Sequence, residues 1–381
     1  MSDPIVIVGS GFAAYQLVKA IRRLDSDTNI CVITADDGHD YNKPDLSHVF
    51  SKAQNKNDLI VATGDEFAQQ QKFTLLSRSK VESIDAQARC VVVNGEPIHY
   101  AKLVLATGAS AFIPPIKGNG VECMRTLNSL EEFANHHDSL NDAQRVMVLG
   151  GGLIGVEIAL DLANAGKSVA LIEPASTLMA NQLPDLIGFK LQQHLLIKGI
   201  DIQTGVIVEQ INQLNNKHHV ELSNGQLLEV DEVVVCAGLR ANTDLAQSAG
   251  VLVNKGIVVD QTLQTSVADI YALGDCAELM GEVRSYLQPI LLSANALAKT
   301  LLGTTTKVVL PTMMVKVKTP SYPIQLAGVT SGHAIAHWQI ETQPQGMVAK
   351  AYDSGNKPIG FVATDQMASQ AFTLLRELAT A

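Results

Sequence analysis

The sequence contains no C-x-x-C. Its five cysteines, Cys31, Cys90, Cys123, Cys236 and Cys276, are scattered along 381 residues. Such spacing excludes a sequence-local redox dithiol and offers neither zinc nor iron–sulfur ligation. Reduced thiols, some buried in strands, are expected instead. Positive charge is also short: 28 Lys and Arg against 38 Asp and Glu leave a formal net charge of −10. That balance argues against nucleic acid or an anionic membrane as partner. No apolar run reaches the roughly 18 residues a membrane helix needs. The opening M-S-D-P-I-V-I-V-G lacks a basic region, and its apolar stretch is one strand long. Neither a signal peptide nor membrane insertion is expected, and the location should be cytoplasmic. Hydrophobic residues at 46% and charged residues at 17% suit a globular α/β chain of two or three domains.

What the chain does have is glycine, set in phrases. V-M-V-L-G-G-G-L-I-G-V-E begins with an apolar strand at Val146–Leu149 and continues through Gly150, Gly151, Gly152 and Gly155. Ile154, Ile158, Leu162 and Ala165 then keep a helical spacing that Gly166 ends. A second strand, Val169–Ile172, leads to Glu173. This is a βαβ unit with G-x-G-x-x-G at the start of its helix. Glycines there let a pyrophosphate lie against bare N–H groups at the positive helix end. Gly150, Gly152, Leu153, Ile154 and Gly155, with Gly238 further on, are the candidate dinucleotide contacts. Glu173 sits where a carboxylate accepts from a ribose 2′-hydroxyl and repels a 2′-phosphate, which points to NAD(H) rather than NADP(H). The plainer account, a turn tight only for packing, does not explain the strand–glycine–helix–strand–acid order.

A second copy opens the chain. Ile5–Val8 runs into Gly9, Ser10, Gly11, Phe12, Ala13 and Ala14, with a helix through Arg23, a strand at Ile30–Ile33 and then Thr34-Ala35-Asp36. Ala14 replaces the third glycine, and Asp36 is the candidate ribose ligand. Gly9 and Gly150 lie 141 residues apart. Asn94 and Asn224, both followed by glycine in hairpin-like phrases, are 130 apart, as are Gly108 and Gly238 at two small-residue strand ends. The chain is therefore an internal repeat. Its first half carries extra length at D-D-G-H-D-Y-N-K-P-D-L-S-H, residues 36–48, and long loops beside cofactor sites are often functional.

Two such halves, with T-S-V-A-D-I-Y-A-L-G-D-C-A at Thr265–Ala277, resemble the two-dinucleotide flavoprotein family. These are FAD-dependent, NAD(P)H-oxidising reductases with a glutathione-reductase-like fold. I-T-A-D-D-G…Y-N-K-P-D-L-S, G-L-I-G-V-E and V-K-V-K-T-P narrow the likeness to rubredoxin–NAD⁺ and flavorubredoxin reductases. The resemblance implies two duplicated Rossmann-like domains plus a small α+β C-terminal domain. Residues 1–110 and 236–310 would hold FAD, 111–235 NAD, and 311–381 would form an interface. It also implies that FAD meets Gly9–Ala14, Thr34, Ala35, Asp36, Lys43, the main chain of Val81, Thr107, Gly108, Glu157, Asp275, Leu287 and Lys318. Asp275 would accept from the ribityl chain, and the helix after Pro289, read as Ile290–Leu302, would turn amides near Leu287 towards the flavin.

Hydride transfer from NADH to the flavin, then departure of electrons to rubredoxin or a similar small iron protein, is the implied activity. Lys43 and Lys318 would favour hydride acceptance at N5, with Glu157 holding a lysine in place. Each has a plainer account: Lys43 a solvated loop residue, Lys318 an edge-strand charge, Glu157 a first-turn carboxylate favoured by the helix dipole. The C-x-x-x-x-C of disulfide reductases is missing, and Tyr41-Asn42-Lys43 stands where cysteine-using oxidases carry their thiol. Electrons must then go directly to an outside acceptor. A flavorubredoxin or an oxygenase ferredoxin is the alternative acceptor, and a non-catalytic FAD/NAD redox sensor the alternative class. Because the whole chain is acidic, steering of an acidic carrier would need Lys43, Arg284, Lys316 and Lys318 as a local patch. From about Pro311 the pattern alternates as strands, with a hairpin at Gly355-Asn356 and a final helix over Met367–Leu378.

Overall fold

In a computed structural model of the chain, residues 3–380 are described; Met1, Ser2 and Ala381 lie outside it. Two compact units emerge. One holds the chain up to Lys43, Lys56–Ser110 and Leu239–Leu310; the other holds Pro44–Asn55, Ala111–Gly238 and the chain from Pro311 onward.

The first unit is built on a five-stranded parallel sheet. Ile270–Ala272, Lys102–Leu105, Ile5–Val8, Ile30–Ile33 and Thr74–Leu76 follow one another across it. Ile5–Val8 and Ile30–Ile33 are buried along their whole length. A parallel strand covered on both faces must read as an unbroken apolar run, and both do. Helix Phe12–Leu24 buries Leu17, Val18 and Ile21 completely and turns Arg22 and Arg23 to its outer last turn. Each of those three side chains contributes about 1.5–3 kcal/mol by burial. A charge at Val18 would be buried without solvent in a helix that packs against Leu287–Leu301.

The second unit repeats the plan. Asp201–Thr204, Ser168–Glu173, Arg145–Leu149 and Glu232–Val235 form a four-stranded parallel sheet. Each unit also carries a three-stranded antiparallel sheet: Val81–Asp85, Cys90–Val93 and Glu96–His99 in the first, Val208–Leu214, Lys217–Leu222 and Leu227–Val230 in the second. Asn94-Gly95 makes a two-residue turn with both φ positive, at 52° and 79°. The second copy also places its Asn-Gly pair between antiparallel strands, Lys217–Leu222 and Leu227–Val230. Its tight two-residue turn is Asn215-Asn216, with φ 52° and 60°, whereas Asn224-Gly225 lies in a longer turn where Leu222 N–H bonds the Gln226 carbonyl.

The C-terminal part of the second unit is a five-stranded antiparallel sheet. Its order is Met314–Val317, Ile324–Gly328, Pro358–Thr364, Gly346–Tyr352 and His337–Gln343. The expected hairpin at Gly355-Asn356 is present, with Asp353 Oδ1 accepting from Gly355 and Lys357 N–H. The last helix is Ala371–Thr380, shorter at its start than expected because Asp365–Gln370 winds as a 3₁₀ turn. Its Ala371 and Leu374 pack on Val348, Phe361 and Ala363 of the sheet. No helix among the described residues is long and apolar enough to cross a membrane.

Candidate functional site

Both glycine turns have the same geometry. Gly9 and Gly150 take φ of +109° and +111°. A Cβ on Gly9 would stand 2.3 Å from the Ala106 carbonyl oxygen, and one on Gly150 2.4 Å from that of Cys236. Each first glycine is thus wedged against the small-residue strand end of its own half. Gly11 and Gly152, the helix N-caps, have φ/ψ of −70°/−178° and −72°/−175° and no side-chain cap. The first-turn amides of Phe12, Ala13 and Ala14, and of Leu153, Ile154 and Gly155, are therefore available to an anion. Ile154 is 50% exposed and offers an apolar surface beside the turn. No Cβ fits at Gly155, where it would meet the Gly150 carbonyl oxygen at 1.8 Å, whereas the first half accommodates fully buried Ala14.

The two strand-end acids are held differently. Asp36 Oδ1 accepts from the Ser10 and Thr34 hydroxyls, both at 2.7 Å, and from Gly38 N–H at 2.9 Å. It shares one network with the first glycine turn, and Ala35 beside it is exposed. Glu173 accepts Gly151 N–H at 2.6 Å and Ala175 N–H at 2.8 Å. Its carboxylate thereby shapes the turn.

Asp275 carries an unmet demand. Its Oδ1 is closed off from solvent and has no hydrogen-bond partner. Burial raises its pKa above the ordinary value, while the Lys43 charge and a Ser285 hydrogen bond pull it back. A carboxylate lodged in this way fits a ligand that brings hydroxyl donors, as a ribityl chain does. Helix Leu287–Leu301 begins at Leu287, earlier than expected, and Pro289 is its third residue rather than its first. Proline is tolerated there, since the first four N–H groups of a helix have no intrahelical acceptor. Thr107-Gly108 is clamped by Asn242, whose side-chain amide donates to the Thr107 carbonyl at 2.8 Å while its own carbonyl accepts from Thr107 Oγ1 at 2.8 Å. Asn242 gave no signal in the sequence beyond following Gly238. Val81 is buried at the start of its strand.

Glu157 corrects an expectation. It is the fifth residue of helix Leu153–Asn164, not part of the first turn, so the helix dipole does not account for it. It is 3% exposed and accepts from Ser47 Oγ at 2.7 Å and from the backbone N–H of Lys318 at 2.8 Å. Lys318 Nζ donates to the Pro44 carbonyl at 2.5 Å. Glu157 thus holds Lys318 by its main chain. Lys43 opens the 3₁₀ turn Lys43–His48. Arg284 is paired with Glu282 at 2.8 Å, and Lys316 lies over the Phe372 ring at 5.8 Å. Among the described residues no cluster of His, Cys, Asp or Glu is arranged for a metal.

Comparison with known proteins follows the same lines. Residues 3–295 match the model of the pyridine nucleotide-disulphide oxidoreductase family, and residues 307–378 that of the rubredoxin binding C-terminal domain. The chain is 53% identical over 380 residues to the Nitric oxide reductase FlRd-NAD(+) reductase of Aliivibrio fischeri, covering 100% of both chains. It is 46% identical to the protein of that name from Escherichia coli O157:H7, over 99% of this chain and 100% of the other. A ferredoxin reductase of Rhodopseudomonas palustris superposes with a TM-score of 0.88 at 28% identity, covering 98% and 94% of the two chains. The NADH:rubredoxin oxidoreductase of Clostridium acetobutylicum gives 0.81 at 21% identity, covering 100% and 96%. The chain belongs to the pyridine nucleotide-disulphide oxidoreductase family.

Proposed function

We propose that this protein is a cytoplasmic, NADH-dependent FAD reductase that delivers electrons to a rubredoxin-type iron protein. The observation that carries this reading is the paired glycine turn, built twice with matching cap angles, in a chain whose C-terminal segment matches a rubredoxin-binding domain. Relatives named FlRd reductases favour a flavorubredoxin as the physiological acceptor.

When bound, FAD supplies hydride acceptance from NADH and onward release of single electrons. The chain's own residues bind and orient. Gly9–Ala14 present amides to one pyrophosphate, and Gly150, Gly152, Leu153, Ile154 and Gly155 to the other, with Gly108 and Gly238 at the neighbouring strand ends. Thr34, Ala35 and Asp36 border one ribose, Glu173 the other. Asp275 accepts from ribityl hydroxyls, and Thr107 and the Val81 main chain complete the FAD wall. Amides at Leu287 stabilise negative charge at the start of their helix. Lys43 and Lys318 supply positive charge where reduction builds electrons on the ring, and Glu157 fixes Lys318. Residues 1–110 with 236–310 serve FAD, 111–235 NAD, and 311–381 the carrier.

The test is steady-state NADH oxidation with rubredoxin, flavorubredoxin, ferredoxin and dioxygen compared at equal concentration. Fast turnover is expected with the first two. Equal turnover with ferredoxin would overturn the carrier assignment, and a stable reduced state with no competent acceptor would favour a redox sensor instead.

A further inference from the structure

Two carboxylates stand one turn apart on a helix that is otherwise apolar up to its last residue, Asn164. In L-I-G-V-E-I-A-L-D-L-A-N every residue from Gly155 to Leu162 is buried, Glu157 at 3% and Asp161 at 2% exposure. Leucine at either position would avoid the desolvation cost of a charge. Both acids are instead matched by donors from one distant segment. Phe50 N–H donates to Asp161 Oδ2 at 2.8 Å, Ser51 N–H to Oδ1 at 3.2 Å, and Ser51 Oγ also to Oδ1. Ser47 Oγ donates to Glu157 and also reaches the Pro44 carbonyl at 3.1 Å. That same carbonyl receives Lys318 Nζ, and the Lys318 amide returns to Glu157. The bonds close a ring. The ammonium of Lys318 belongs to this ring, and Asp161 pins the Phe50–Ser51 turn that follows Ser47 in the chain.

We infer that Asp161 is a positioning residue: by fixing the turn at Phe50–Ser51 it holds the Pro44 carbonyl in place and thereby the Lys318 ammonium. An open cavity of about 430 Å³, lined by His48, Ser51, Lys52, Asp161, Lys318 and Thr319 among others, borders the ring. A lysine that loses its carbonyl partner has open room to swing into. The consequence for electron transfer rests on the reading of Lys318 given above; the consequence for local structure does not.

The experiment uses the FAD-loaded protein, with Asp161→Asn releasing the Phe50–Ser51 turn and Ser47→Ala cutting the ring itself. In Asp161→Asn an amide N–H₂ faces a backbone N–H, donor against donor. Hydrogen exchange should quicken about tenfold at Phe50 and Ser51 and also at the Lys318 amide, which Asp161 does not touch. Faster exchange confined to Phe50 and Ser51 would reduce Asp161 to a local cap and overturn the inference. In anaerobic rapid mixing, the limiting rate of flavin reduction should fall about tenfold or more while the Kd for NADH stays within about twofold. Adding Lys318→Ala to Asp161→Asn should cost nothing further. Multiplying effects would show that Asp161 acts independently of Lys318. If the unaltered protein is not reduced by NADH, the proposed function fails and the exchange result alone decides this inference.

Discussion

Asp275→Asn should move two properties in opposite directions. In the cofactor-free protein the ionised carboxylate is an expense: its Oδ1 is shut from solvent without a partner, and burial raises its pKa. Asparagine keeps the shape and removes the charge. Thermal stability of the deflavinated variant should therefore equal or exceed that of the unaltered protein. FAD binding should suffer, because hydrogen bonds to a charged acceptor contribute about 1.5–3 kcal/mol. At about 1.4 kcal/mol per decade, the Kd for FAD should rise roughly 10- to 150-fold. The pH dependence has a definite sign. A raised folded pKa means the acid stabilises fully below its unfolded value of 3.8. That contribution is lost as pH climbs through the raised value. The stability difference between the two proteins should thus close in acid and open towards neutrality. Unfolding scans of the apoproteins across pH, with flavin fluorescence titrations, measure both. A variant that loses stability and keeps its FAD affinity would refute the assignment of Asp275 to the ribityl chain.

Gly11→Ala and Gly152→Ala should separate folding from binding. Both sites have ordinary φ and nothing within 4 Å of an added Cβ, so both variants should fold normally. Gly11→Ala should lose FAD affinity and Gly152→Ala should raise the KM for NADH, each by about tenfold or more; unchanged binding in both would remove the pyrophosphate sites. Glu173→Gln should weaken NADH and narrow its preference over NADPH, measured as the ratio of kcat/KM values; an unchanged ratio would leave Glu173 only its bonds to Gly151 and Ala175. Partial burial raises the pKa of Asp231, yet bonds from Lys217 and from Arg145 and Gln144 N–H hold it down at about 2. Its stabilisation is present above the unfolded value of 3.8 and disappears as pH falls through about 2. Asp231→Asn should consequently flatten the acid limb of an unfolding curve. Burial lowers the pKa of His218, so protonation favours the unfolded chain and stability should fall as pH drops below 6.5; His218→Phe should blunt that loss.

The duplication was legible in the chain because its signals are local. A strand feeding a glycine turn and an amphipathic helix needs only neighbouring residues, and Gly9 and Gly150 declare the positive φ that no other residue tolerates well. Both strand-end acids, the Asn94-Gly95 turn and the C-terminal strands were visible for the same reason. The sequence also announced Asp275 through its phrase, though not that one of its oxygens goes unmatched. What distance decides was hidden. The resemblance pointed to Glu157 holding a lysine, but only folding shows it buried beneath Ser47 and bound to the Lys318 amide rather than the ammonium. Asp161 had one available signal, a charge four residues after Glu157 within an apolar run, but its partners lie 110 and 111 residues away. Those long-range bonds also explain why Pro44–Asn55 leaves the first unit and joins the second. Backbone geometry is written in single residues, whereas the satisfaction of a buried charge belongs to whichever distant donors the fold delivers.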